Sequence, residues 1–215
     1  MLSQLFVFTI FTLAIGQEVA CDGCSDALKN LLNANMKDNL ENGCEADWKY
    51  FNRPSGGWCI KVFAGVKTFD GASKACQAVN SRLSGLQNAE EIAFIQRATL
   101  SSISQSSSSV FIGTRRTKKC LNQTLTAECT PKTSFEWTDG SATGVEGFVF
   151  QKGFPQNWKL EENCAVLLAS RTPSVLHNNS PFYAGQMDDV ACDLPAVSTG
   201  PRAALAYVCG KKASK

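Results

Sequence analysis

The sequence predicts an α+β domain stapled by disulfides, and three observations carry that reading. Helical periodicity comes first along the chain and short strand-like runs follow, which suits helices segregated from an antiparallel sheet better than a parallel sheet. Cysteine occurs 10 times, an even count that reads as a disulfide framework in an exported chain. Export is indicated by residues 5–16 (LFVFTIFTLAIG), an apolar run too short to span a bilayer that closes on the small-x-small triplet Ala14-Ile15-Gly16. Residues 1–16 are therefore expected to be a signal peptide. No later run is long and apolar enough to cross a membrane, so the mature protein is expected to be secreted and extracellular, with no membrane span.

Residues 17–43 form an N-terminal extension carrying Cys21 and Cys24. Behind them Leu28, Leu32, Met36 and Leu40 recur at i, i+4 spacing, a narrow helical stripe interrupted by the poor helix formers Asn30, Asn33, Asn35, Asn39 and Asn42. Two readings stand, a helix lying on the main domain and a short oligomerising stalk. The Cys21-x-x-Cys24 spacing lies outside any βαβ pattern, so it reads as a local bridge or as a link between two chains rather than as a redox motif.

The main domain spans residues 44–210, one domain by length, with a basic tail at 211–215. Trp58-Cys59-Ile60-Lys61-Val62-Phe63 alternates as a half-buried strand. Thr68 then opens a helix with the apolar face Phe69, Ala72, Cys76, Val79 and Leu83, expected to end near Gly85. A second helix starts at Asn88, with Glu91 completing a capping box, and buries Ile92, Ile95 and Thr99 or Ile103. Residues 101–109 are serine-rich and read as a polar surface loop. Short strands follow at residues 110–113, 135–137, 164–168 and 204–209, while 138–163 and 169–187 are expected to be mainly loop.

Composition narrows the function. Lys+Arg 21 against Asp+Glu 19 gives a net charge of +2, too even to mark a nucleic-acid or acidic-membrane partner. The single imidazole, His177, lies in a polar loop beside Asn178 and reads as a surface residue, which argues against a His-dependent enzyme. Asn122-Gln123-Thr124 and Asn178-Asn179-Ser180 are glycosylation acceptors, as suits a secreted chain.

The order of motifs then becomes informative. Trp58-Cys59, the helix holding Cys76, Leu83 before the Asn88-Ala89-Glu90-Glu91 helix, and Phe111-Ile112-Gly113 come first. Phe135-Glu136-Trp137-Thr138-Asp139-Gly140, Asn163-Cys164, Asp188-Asp189-Val190-Ala191-Cys192 and Tyr207-Val208-Cys209 follow. This succession resembles a C-type lectin-like domain of the long form, with Phe111 where the family usually has Trp. The resemblance implies two helices packed on small antiparallel sheets, a long loop region, and the bridges Cys44–Cys59, Cys76–Cys209, Cys164–Cys192 and Cys120–Cys129. Cys21 and Cys24 are left for each other or for a second chain. It also implies a cis Pro155.

Sugar-binding members of that family hold calcium through a Glu-Pro-Asn or Gln-Pro-Asp motif, a Glu before the third-strand Cys, and an Asn-Asp pair. Aligned on Pro155, the corresponding calcium set here is Gln156, Glu162, Asp188 and Asp189, and the corresponding ligand-binding set adds Asn157 and Trp158. Phe154 takes the place of the first acid, and a phenyl ring supplies none of the 6–8 oxygens that calcium takes. Calcium is thus the one cofactor the resemblance implies, and its motif is degenerate. Asp188-Asp189 also reads as a turn capped by local hydrogen bonds. Phe154 and Trp158 read either as exposed aromatics that stack on a sugar or anchor a protein, or as a small core of the loop itself. The function expected is a non-catalytic, carbohydrate-recognition-type binding module with a glycan or an extracellular protein as partner. The alternative is a calcium-independent binder of protein ligands.

Overall fold

Ser25 accepts the Leu28 N–H through its hydroxyl and so starts the first helix, α1 (Asp26–Glu41). The computed structural model describes residues 25–194 and 200–214, so residues 1–16 and the Cys21/Cys24 pair lie outside the described residues. Leu28, Leu31, Leu32 and Leu40 on α1 are exposed, and the helix does not lie on the domain along its length. It docks at its C-terminal end, where buried Asn39 accepts Tyr50 N at 3.1 Å and Cys44 N at 2.8 Å.

The hairpin β1 (Lys49–Arg53) and β2 (Gly56–Ala64) follows, then α2 (Phe69–Gln77), capped by the Thr68 hydroxyl on Gly71 N at 3.1 Å. Helix α2 stops at Gln77 rather than near Gly85. The Cys76 carbonyl accepts Val79 N, Ser81 N and the Ser81 hydroxyl, and Asn80 turns the chain at φ +53°. Val79 is therefore exposed, and Leu83 enters the short strand β3 (Arg82–Leu83).

Helix α3 (Ala89–Ser102) is capped by Asn88, whose side chain accepts Glu90 N and Glu91 N. The capping box expected of Glu91 does not close. Its carboxylate accepts Gln87 N at 2.8 Å instead, because it is held by the buried Arg53 guanidinium at 2.8 Å through both oxygens.

Strands β4 (Ser107–Arg116), β5 (Phe135–Trp137), β6 (Cys164–Ser170), β9 (Met187–Val190) and β10 (Ala204–Lys212) complete a sheet ordered β1-β2-β10-β4-β6-β9, with β3 on β10 and β5 on β4. Strands β7 (Ser174–His177) and β8 (Ser180–Tyr183) form a separate hairpin inside the segment expected to be loop. Ser107, Ser108 and Ser109 are buried at the start of β4, opposite Ser170, Ala169 and Leu168, and not in a surface loop. Serine is tolerated there because its hydroxyl is satisfied: Ser108 Oγ accepts Leu205 N at 3.1 Å and donates to Ser109 O at 2.7 Å.

The two-residue pleat divides the core. Val110 and Ile112 of β4, Leu167 of β6 and Val208 of β10 face α3, packing with Ile92, Ile95 and Leu86. Phe111, Val166, Tyr207 and Cys209 face α2, packing with Phe69, Ala72 and Cys76. Disulfides Cys44–Cys59, Cys76–Cys209, Cys120–Cys129 and Cys164–Cys192 staple this arrangement.

Candidate functional site: the long loop and its buried arginine

The loop between β5 and β6 is built on a cis Phe154–Pro155 peptide. Phe154 turns toward the β7–β8 hairpin and meets buried Phe182 edge-on at 5.9 Å, with the Arg202 guanidinium 3.9 Å over the other ring. Trp158 goes the other way. It is 60% exposed, with Leu160 at 44% beside it and the Lys159 ammonium 4.2 Å over the indole. The backbone that presents this tip is strained, since Asn157, Lys159 and Leu160 all have φ between 52° and 61°.

Three side chains hold the strained turn. Asp189 accepts Gln156 N at 2.9 Å and Asn157 N at 2.7 Å. Glu162 accepts Trp158 N at 2.7 Å. Asn157, itself buried, accepts Glu162 N at 3.1 Å and donates its amide to the carbonyls of Leu121 (3.0 Å) and Gln123 (2.9 Å). The Cys120–Cys129 clip is thereby the floor of the loop.

Beneath these groups lies Arg116, the last residue of β4. Its Nη2 donates to Asp189 Oδ2 at 2.6 Å and its Nε to the Glu162 carbonyl at 2.9 Å, while the guanidinium covers Phe135 at 4.6 Å. Both ends of the ion pair are buried. Burial pushes the Glu162 carboxyl up to about 7, and the charge of Asp189 adds to the shift. Burial also raises Asp189, opposed by the Asn157 and Gln156 amides and by Arg116. Arg116 is lowered by the same loss of water, with Asp189 acting against it.

Pleat alternation separates two pairs of like charges. Arg115 faces α2, 4.3 Å over Phe69 and 2.7 Å from Asp70, while Arg116 faces the loop. Asp189 faces Arg116, while Asp188 pairs with Arg202 on the opposite side of β9. Of the residues expected to bind, Gln156 contributes its backbone amide and leaves its side chain in solvent, and Asn157 is internal. Glu162 and Asp189 meet through the loop, Trp158 is presented, and Asp188 is elsewhere. Among the described residues no three His, Cys, Asp or Glu side chains converge on a point that could hold a metal ion. Arg116, Arg202 and Leu160 were not legible as site residues. The one signal available was the Arg115-Arg116 pair at a strand end, of which alternation must send one to each face.

Fold and site together define a C-type lectin-like binding domain. The chain matches the C-type lectin domain-containing protein 141/158 family over residues 49–212 and belongs to it. It is 30% identical over 104 residues to the alpha chain of the snaclec bitiscetin from Bitis arietans, covering 48% of this chain and 69% of that one. It is 26% identical over 155 residues to one subunit of the snaclec coagulation factor IX-binding protein from Protobothrops flavoviridis, covering 70% and 98%. The carbohydrate-recognition domain of cow CD23, solved in the presence of an oligosaccharide, aligns with a TM-score of 0.50 at 21% identity over 81% of this chain and 99% of that one. That likeness is one of fold.

Proposed function

We propose that this protein is a secreted, non-catalytic binding module that recognises an extracellular protein through the tip Trp158–Leu160, without calcium. The observation that carries the reading is the tip itself, an exposed Trp and Leu on a turn whose strain is held by buried hydrogen bonds. A preorganised aromatic anchor loses little entropy on docking, and Trp is enriched among residues that dominate protein interfaces. The sugar-binding alternative finds less support, because Phe154 packs on Phe182 where the motif needs an acid, and Asn157 is spent internally. A relative named for binding coagulation factor IX agrees with a protein ligand. Residues 1–16 act as the export signal in this reading, and Cys21 or Cys24 joins chains if the protein is oligomeric.

The test is to present the protein to arrays of purified extracellular proteins and of glycans, each with calcium and with chelator. A protein ligand bound equally in both conditions is expected, still bound after enzymatic removal of its N-glycans. Trp158→Ala should weaken binding by about 2–4 kcal/mol and change folding stability by no more than about 0.5 kcal/mol. Calcium-dependent capture of a glycan, unaffected by that substitution, would defeat the proposal.

A further inference from the structure

We infer that Arg116 supplies from within the chain the positive charge around which the long loop is organised, in the place where the family's resemblance implies a calcium ion. Carboxylates gathered under a loop repel one another unless a cation stands between them. Here Asp189 and Glu162 belong to one network, and the cation hydrogen-bonded to it is the Arg116 guanidinium: Nη2 on Asp189 Oδ2 at 2.6 Å, Nε on the backbone carbonyl of Glu162 at 2.9 Å, with the Arg202 charge also acting on the Glu162 carboxylate. Asp189 also takes the amides of Gln156 and Asn157, Glu162 takes that of Trp158, and the Asn157 carbonyl oxygen Oδ1 takes Glu162 N.

The residues present do not fit calcium. The ion takes 6–8 oxygens, whereas Phe154 offers none, Asp188 is turned to Arg202, and the Gln156 side chain points into solvent. Arginine is well suited to the substitution, because its planar fork reaches a carboxylate and a carbonyl at once and it does not lose its proton. A calcium-held loop depends on the ion's concentration outside the cell. A loop held by Arg116 does not, so the tip is kept in one geometry wherever the protein goes. This inference concerns the loop's order and holds whatever the tip binds.

The experiment therefore reads order and not ligand. The melting temperature of the full secreted protein is measured in about 5 mM calcium and in chelator, a concentration at which even a weak site shifts the folding equilibrium, together with hydrogen exchange at Gln156 and Asn157. The wild type is expected to melt alike in both and to protect those amides. Arg116→Asp reverses the internal charge and should melt higher with calcium than with chelator. Arg116→Met should exchange the Gln156 and Asn157 amides on the order of a hundredfold faster, as removal of one partner of a buried pair implies. Arg116→Lys should keep calcium indifference. If the charge-reversed variant does not fold, the wild-type pair and Arg116→Met decide. The inference is overturned by a calcium-dependent rise in the wild type that Asp189→Asn abolishes. It is equally overturned by unchanged amide protection in Arg116→Met.

Discussion

Glu162 shows how one side chain ties chemistry to loop geometry. Its carboxylate accepts the Trp158 amide, and burial beside Asp189 moves its titration from the ordinary 4.5 to about 7. A carboxyl whose folded pKa is raised binds its proton more tightly in the native state. The stability this contributes is fully present below about 4.5 and is lost as pH climbs through 7. Glu162→Gln keeps an oxygen acceptor for Trp158 and cannot ionise. The variant is expected to gain on the wild type between pH 5 and pH 8, melting higher at the alkaline end. Equal differences in melting temperature at both pH values would refute the assignment. Gly113 shows the opposite constraint: a Cβ there would run into the Leu83 carbonyl, so the Phe111-Ile112-Gly113 run needs glycine where its backbone N–H donates to the Ser84 carbonyl just after β3.

At the scale of elements, the apolar stripe of α1 and the pleat of the sheet had different fates. The stripe makes a helix, yet Leu28, Leu31 and Leu32 remain in solvent, while Asn39 and the pair Lys49–Asp38 tie its C-terminal half to the domain. An exposed helix of this kind adds little to global stability. Removing residues 25–37 should shift the melting temperature by no more than about 2 °C, a change of under about 1 kcal/mol for a chain of this size. A drop well beyond that would show α1 to be packed in solution. In the sheet, alternation works differently. Strand β4 puts Arg115 against Phe69 and Arg116 against Phe135, and β9 parts Asp188 from Asp189.

For the molecule as a whole, covalent and ionic ties share the task of joining distant segments. Arg53, buried, binds Glu91 of α3 and Asp139 after β5, and Asp139 in turn accepts Gly85 N, Ser141 N and Ala142 N. Cys76–Cys209 closes a separation of 133 residues, against 9 for Cys120–Cys129. Loop-closure entropy then assigns about 5 kcal/mol to the first and about 2.6 kcal/mol to the second. Replacing both partners by Ala should therefore lower the denaturant midpoint far more at Cys76/Cys209. At Cys120/Cys129 the larger loss should be in ligand binding, because that clip carries the carbonyls that hold Asn157. The reverse ranking of midpoints would contradict the entropic account.

Much of this was legible from residues in order. Alternation predicts β2, short strand-like runs between turns predict the middle of β4 and most of β10, the Thr68 and Asn88 caps predict the starts of α2 and α3, and the ordered motifs point to the family. These are local signals, carried by side-chain periodicity and by backbone donors a few residues away. The burial of Ser107–Ser109 and the place of Glu91 were not legible, since each depends on a partner far along the chain, β6 and Arg53, and the Leu83 expected in the last turn of α2 belongs to β3, which pairs with distant β10. The candidate site divides the same way. Sequence by itself determined which loop carries the aromatics and that its motif lacks an acid at Phe154. Only the tertiary structure decided that Trp158 faces outward, that Asp188 and Asp189 part, and that Arg116 stands beneath them. The reason is physical: a charge 73 residues away in sequence reaches Asp189 only after β4, β6 and β9 have paired.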